Sequence, residues 1–370
     1  MACRSRQVGQ LSRFGLYVHI PFCRKKCAYC DFVSLSEQGG LVNSYLKALG
    51  QELARHRKTP FATLYIGGGT PSLLSPNQFL DLFNLIRANI DVSRLTESTI
   101  ESNPESLSRE KLGVYRELGI NRLSIGLQST SNKFLSILGR VHSWEKFLES
   151  YRLAREAGFS NLNVDLIYGI PGQTLKDWRL SLKEVVDLEP EHISVYPLKI
   201  EAGTPYFLAG VKVDENLQAD MYLSASEFLL REGFEHYEIS NFCRPGYSCE
   251  HNLNYWDDGD FIGIGISAAS HVSGRRWKNN RSLSEYIRIL AEGGEVVEET
   301  SILNNEEFIK EKLMLNLRLK FGVSEKALSK WAGPEKEKFL RLGLAILENE
   351  SFRLTPQGWL LSNQLFQCLV

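Results

Sequence analysis

The sequence predicts an α/β fold in three parts. A partial (β/α)6 barrel spans residues 16–200, an appended mixed α/β region follows over 201–300, and a mainly helical, winged-helix-like domain closes the chain over 301–370. Three observations predict it. Short apolar runs alternate with amphipathic stretches from Leu16 to about Pro197, as a repeating β/α unit requires. The residues that carry chemistry fall at the ends of those runs. Beyond residue 200 the pattern changes, first to loop-like and aromatic-rich sequence and then back to helical spacing.

After an N-terminal arm over 1–15, the candidate strands are LYVHI (16–20), ATLYIG (62–67), STIES (98–102), RLSIGL (122–127), NLNVDLI (161–167) and HISVYPL (192–198). The segments between them have helical periodicity. Val42, Tyr45, Leu49 and Leu53 share one face of a helix, and Phe79, Phe83, Ile86 and Ile90 share another. Ser75 precedes a proline at the first helical position, a helix-start signal. Parallel strands joined by right-handed helical crossovers curl into an open barrel with functional groups at the strand C-terminal ends. IPFC follows the first strand and GGGT the second, Glu101 ends the third and Gln128 the fourth. Asp165 lies in the fifth, and YPLK ends the sixth. All six positions converge on one mouth.

In the appended region 216–232 reads as a helix, and 251–278 is rich in Gly, Asn, Asp and aromatics. The glycines of GIGISAAS (263–270) alternate as in a strand that another backbone approaches closely. From Glu306 the chain reads as helix, then a glycine-punctuated stretch, a short strand at FRLT and a final helix. This last domain is expected to cap the barrel, with partner binding as the other use for it.

Hydrophobic residues make up 43% and charged ones 24%, an ordinary globular balance. The formal net charge of -1, with no long block of one sign, argues against a bulk electrostatic grip on nucleic acid. The first sixteen residues lack the apolar core of a secretory signal and no run of 18 apolar residues occurs, so the expected setting is cytoplasmic, compatible with peripheral contact to a membrane. The chain has seven cysteines, an odd number, and Cys3, Cys243, Cys249 and Cys368 lie far from the other three. A disulfide framework is not expected, and reduced thiols are available for metal.

The other three sit in IPFCRKKCAYCDF as Cys23, Cys27 and Cys30, spaced C-x3-C-x2-C. A closed zinc site takes four ligands, for which His19 or Asp31 would have to supply the fourth. A four-iron cluster on three cysteines instead leaves one iron open to a small molecule. Gly67, Gly68 and Gly69, with Thr70, form either a tight turn or a place where backbone closely approaches a ligand. Glu101 and Asp165 can take hydroxyls or an amino group, or serve as caps and salt-bridge partners.

The spacing of the three cysteines after the first strand resembles the radical S-adenosylmethionine (SAM) superfamily. That resemblance implies a [4Fe–4S] cluster on Cys23, Cys27 and Cys30, with SAM on the open iron and cleaved there to a radical. YVHIPFCRKKCAYCDF, YIGGGTPS, RLSIGLQS, LGRVHS, NVDLIYGIPGQT and HISVYPL together are similar to the coproporphyrinogen dehydrogenase-like branch. It implies SAM contacts at Tyr17, Tyr29, Gly68, Gly69, Thr70, Glu101, Gln128, Arg140 and Asp165.

Two members of that branch differ at this point. The dehydrogenase has a fourth cysteine two residues after the third, where this sequence has Phe32, and it has a longer N-terminal arm. CDF and His251-Asn252-Leu253-Asn254-Tyr255-Trp256 resemble the HemW-type haem chaperones, in which HNxxYW marks the haem-binding group. An imidazole can ligate haem iron and two flat aromatics can stack on a macrocycle. Alternatively, His251 and Asn252 hydrogen-bond a loop while Tyr255 and Trp256 pack. Cys249 is a further candidate thiolate and His271 a further histidine, each with an inert structural reading beside it. The expected function is haem binding and delivery to haem-accepting proteins. Oxidative decarboxylation of coproporphyrinogen III is the enzymatic alternative, and radical chemistry on an unrelated substrate the third.

Overall fold

Six parallel strands stand side by side in chain order in the computed structural model, which describes residues 14–36 and 40–369. They are Phe14–Ile20, Phe61–Gly68, Glu97–Ser102, Arg122–Gln128, Leu162–Tyr168 and His192–Pro197. Each expected strand is present, longer or shorter by a residue or two. Most of the arm over 1–15, with Cys3, lies outside the described residues.

These strands do not alternate cleanly between apolar and polar. RLSIGLQ is buried at every position but the last, because helices cover the outside of a parallel sheet while the inside faces the site. Helix Val42–Leu53 buries Val42, Tyr45, Leu49 and Leu53 on the predicted face. Helix Pro76–Asn89 buries Phe79, Phe83 and Ile86. Its start is fixed by a capping box, in which Ser75 accepts from Gln78 N–H and Gln78 reaches back to Ser75 N–H.

The sheet continues past the six strands on both sides. Phe261–Ile264 pairs in parallel with the first strand, followed by antiparallel Ala269–Val272, Arg275–Asn279 and Val297–Ile302. Beyond the sixth strand lie antiparallel Asn241–Cys243 and Glu235–Glu238. The result is one open sheet of twelve strands, and the barrel is partial, as the sequence predicts. Gly263 shows why that segment carries glycine: a Cβ there would run into the carbonyl oxygen of Ala269.

The C-terminal region combines helices Asn305–Asn316 and Glu325–Arg341 with a small antiparallel sheet of Val323–Ser324, Ser351–Leu354 and Ala345–Glu348, then two short helices. It is fastened to the edge of the large sheet by backbone bonds from Ile239 N to Arg318 O (3.2 Å) and from Lys320 N to Tyr237 O (3.0 Å). That junction puts the C-terminal domain against the mouth of the barrel.

Candidate functional site

The cysteine loop leaves the first strand at Pro21. Phe22–Cys23 pairs in parallel with Leu35–Ser36, closing the loop at its base. Cys23 is buried and Cys27 and Cys30 half-buried, all three as free thiols. His19 is engaged at both ring nitrogens, by Tyr17 Oη at 3.0 Å and by the Val33 carbonyl at 3.0 Å. Burial lowers its pKa, and it has no nitrogen left to complete a zinc tetrahedron.

The glycine run is explained by how close the loop comes. Gly69 N–H donates to Ile20 O at 2.9 Å, and a Cβ on Gly69 would lie 2.7 Å from Phe22 O. Gly68 has φ +121°, which L side chains rarely adopt, and a Cβ there would meet the His19 ring at 2.7 Å. Thr70 Oγ1 donates to Gly69 O and accepts from Asn103 Nδ2.

The carboxylates come from neighbouring strands. Glu101 accepts from Tyr65 Oη at 2.9 Å and from Gly68 N–H at 3.0 Å. Burial pushes its pKa up to about 7 in spite of both bonds. Asp165 accepts from Ser124 Oγ at 3.0 Å and Asn163 Nδ2 at 2.8 Å, and burial raises its pKa also. Arg140 donates to Asn103 Oδ1 at 2.6 Å and Gly126 O at 2.8 Å, and lies 3.8 Å from Cys27 Sγ. Gln128 has φ +73° next to a register shift in its strand, backbone strain of the kind that clusters at functional sites.

A single cavity of about 880 Å³ joins these groups, near the top of the usual range of about 300–1,000 Å³ for small-molecule sites. Cys23, Cys27, Cys30, Tyr29, Gly68, Gly69, Thr70, Glu101, Gln128, Arg140 and Asp165 all line it. Tyr255 and Trp256 line it too, as do Arg318 and Trp359 of the C-terminal region. Tyr17 and His251 are not part of the lining. Tyr17 lies behind it, against Tyr65 with ring centroids 6.2 Å apart.

HNLNYW occupies a short helix, Glu250–Trp256, whose first N–H groups are held by Glu97. Its carboxylate accepts from Glu250 N–H (2.9 Å) and His251 N–H (3.1 Å), and from Cys249 Sγ (3.3 Å). Cys249 is fully buried, and burial pushes its thiol pKa up. His251 is also fully buried. Nδ1 is 2.7 Å from Thr63 Oγ1, Nε2 is 2.8 Å from Tyr255 Oη, and the ring stacks on Tyr65 at 5.2 Å. Burial lowers its pKa to about 3, so it stays neutral. The motif therefore divides, His251 facing the sheet while Tyr255 and Trp256 face the cavity. His271 is bonded to Gly259 O and Gly274 N–H within the appended strands.

Sequence reasoning passed over Tyr65, Asn103, Arg122, Arg318 and Trp359. A signal existed for Arg122, a cation opening the largely apolar run RLSIGL, where it is 1% exposed. The contribution of Arg318 and Trp359 depends on domain docking, which local sequence does not show.

The donor set fits a cluster: three thiols on one short loop, opening onto a cavity that has room for a further ligand. Among the described residues no three His, Cys, Asp or Glu side chains are already drawn into a ligand set.

Residues 17–185 match the radical SAM superfamily, and 303–361 match the HemN C-terminal domain. Heme chaperone HemW of Bacillus subtilis (strain 168) is 37% identical over 368 residues, covering 95% of this chain and 97% of that protein. This chain belongs to the HemW family. Heme chaperone HemW of Lactococcus lactis subsp. lactis (strain IL1403) is 33% identical, covering 95% and 96% respectively. Among solved structures, coproporphyrinogen III oxidase (HemN) from Escherichia coli, described as a radical SAM enzyme, superimposes with a TM-score of 0.83 at 25% identity. It covers 97% of this chain and 90% of that one. HemW and HemN thus share the partial barrel and the C-terminal domain, and this HemW-family chain has Phe32 where the resemblance to the dehydrogenase calls for a cysteine.

Proposed function

We propose that this chain is a haem chaperone. It binds haem, together with a [4Fe–4S] cluster and SAM, and delivers the haem to acceptor proteins in the cytoplasm. The observation that carries this reading is one continuous cavity lined both by the three thiols and by Tyr255 and Trp256 of HNLNYW. Relatives spanning nearly the full length bear the name heme chaperone.

A cluster bound by Cys23, Cys27 and Cys30 would supply an iron without a protein ligand, to which SAM can bind. The protein's part is to hold that ligand. Gly68 and Gly69 bring backbone close to it, Glu101 and Asp165 accept hydrogen bonds from its hydroxyls or amino group, and Arg140 offers a cation beside Cys27. Gln128, Thr70 and Tyr29 complete the wall. Among the described residues no helix is long and apolar enough to cross a membrane.

His251 is the candidate iron ligand, but in this arrangement Thr63 and Tyr255 hold both nitrogens. Ligation by His251 requires the Glu250–Trp256 helix to exchange the Tyr255 bond for iron.

Oxidative decarboxylation of coproporphyrinogen III is the second reading, favoured by the structural match to HemN along 97% of the chain. Phe32, 63% exposed at the cavity rim, argues against it by replacing the extra cysteine. Anaerobic reconstitution followed by parallel assays separates the two. The chaperone reading expects a Soret band on haem addition and no protoporphyrinogen from coproporphyrinogen. Turnover with 5′-deoxyadenosine formed in step with product, and no haem bound, would replace it.

A further inference from the structure

Trp256 and Arg318 meet on the wall of the cavity that the three cysteines also line. The Arg318 guanidinium carbon lies 4.4 Å from the centroid of the Trp256 ring. Both residues are held from behind. Asn316 Nδ2 donates to the Trp256 carbonyl at 2.7 Å, and the Arg318 carbonyl accepts from Ile239 N–H.

Their side-chain donors are not satisfied. Arg318 Nε and Trp256 Nε1 are sealed from solvent, and neither has a hydrogen-bond partner among the described residues. Buried polar groups in native proteins are nearly always paired, and neither donor is, although both side chains line the cavity. Glu238, whose charge acts on Arg318, is already engaged by Ser240 N–H at 3.1 Å. No ion pair joins it to Arg318 among the described residues. Burial raises the Glu238 pKa to about 7 and lowers that of Arg318, in each case against the pull of the other's charge. Arg318 is half-buried on this wall and makes no ion pair among the described residues, and a planar anion that accepts two N–H bonds is the best complement for a guanidinium.

We propose that Arg318 and Trp256 bind a propionate carboxylate of haem, making the C-terminal domain a wall of the haem compartment. This rests on the haem-chaperone reading above and deepens it. The wall suits a flat apolar body carrying such a group: Tyr255, Tyr222, Trp359 and Leu360 line the same cavity. SAM also bears a carboxylate, but the groups assigned to SAM lie around the cysteine loop and the strand ends, with Arg140 as their cation. The domain that family comparison extends over 303–361 thereby has a task at the ligand beyond capping the barrel.

The test compares haem with haem dimethyl ester, in which both propionates are blocked, on the full-length protein with its cluster reconstituted. Wild-type protein should bind haem about tenfold or more tightly than the ester, the scale of a lost charge-assisted contact. Arg318→Gln should lower haem affinity by a similar factor while leaving ester and SAM affinity unchanged. Trp256→Phe, which keeps the ring and removes Nε1–H, should lose part of that factor. The ester comparison needs no variant, so it holds even where a substitution harms folding. Equal wild-type affinity for haem and ester overturns the proposal alone. So does an Arg318→Gln variant that weakens SAM binding and spares haem, which would make the carboxylate SAM's. Wild-type protein that binds neither porphyrin overturns the haem reading and this proposal with it.

Discussion

Tyr65 Oη donates to Glu101 Oε1 at 2.9 Å. The same tyrosine ring stacks on His251 at 5.2 Å, so one side chain from the second strand touches both the Glu101 carboxylate, proposed above to hold SAM, and the first residue of HNLNYW. Tyr65→Phe keeps the stack and removes the donor. Glu101 then loses one of the two bonds that hold its pKa down, and its ionised fraction at neutral pH falls. The expected result is a several-fold weaker SAM affinity by calorimetric titration, with a stability loss of about 1 kcal/mol in denaturant unfolding.

SAM binding should depend on pH through Glu101 itself. Its pKa is raised to about 7, so the carboxylate that accepts from hydroxyl or ammonium groups is fully formed only above that value. Affinity is expected to level off above about pH 8 and to weaken by up to about tenfold for each pH unit below 7. Glu101→Gln should weaken binding throughout and flatten that profile.

The cysteine loop predicts cluster loss from any single thiol. Replacement of Cys23, Cys27 or Cys30 by alanine should leave reconstituted protein without the iron content and visible absorbance of a [4Fe–4S] centre. Cys249→Ala should keep both, since that thiol is spent on Glu97. Its removal leaves a small buried cavity and is expected to cost about 1–2 kcal/mol of stability.

His251 makes a test of sign. Its pKa falls from the ordinary value of 6.5 to about 3 on burial, so the unfolded chain takes up a proton first as pH drops. The stability it contributes is whole above pH 6.5 and is lost as pH falls toward 3. The unfolding free-energy difference between wild type and His251→Gln should therefore shrink between pH 7.5 and 5.5, by up to about 1.4 kcal/mol per pH unit below 6.5. Tyr255→Phe leaves Nε2 without its partner. If His251 ligates iron, that variant should bind haem more tightly than wild type and keep the same Soret position.

The barrel was legible in the sequence because each strand announced itself as an apolar run and the chemistry fell at its end. Val42, Tyr45, Leu49 and Leu53, and Ser75 before Pro76, gave two crossover helices from local rules alone. The cavity wall was legible as far as the motifs reached. HNLNYW was readable as a motif, but not how it would divide. Whether His251 faces the cavity or the sheet depends on Thr63 and Glu97, residues 188 and 154 positions away in the chain. Arg318 was out of reach for the same reason. It looks like one of several cations on an amphipathic helix, and only docking of the C-terminal region against Ile239 brings it to Trp256.

The central claim is that this cavity carries haem for other proteins. The most direct measurement loads the reconstituted protein with haem, mixes it with an apo-haemoprotein, and follows the Soret band and the acceptor's regained activity. The account predicts that haem leaves this chain and restores the acceptor faster than the same concentration of free haem does. Tightly held haem that never passes to the acceptor, or no bound haem at all, would contradict it.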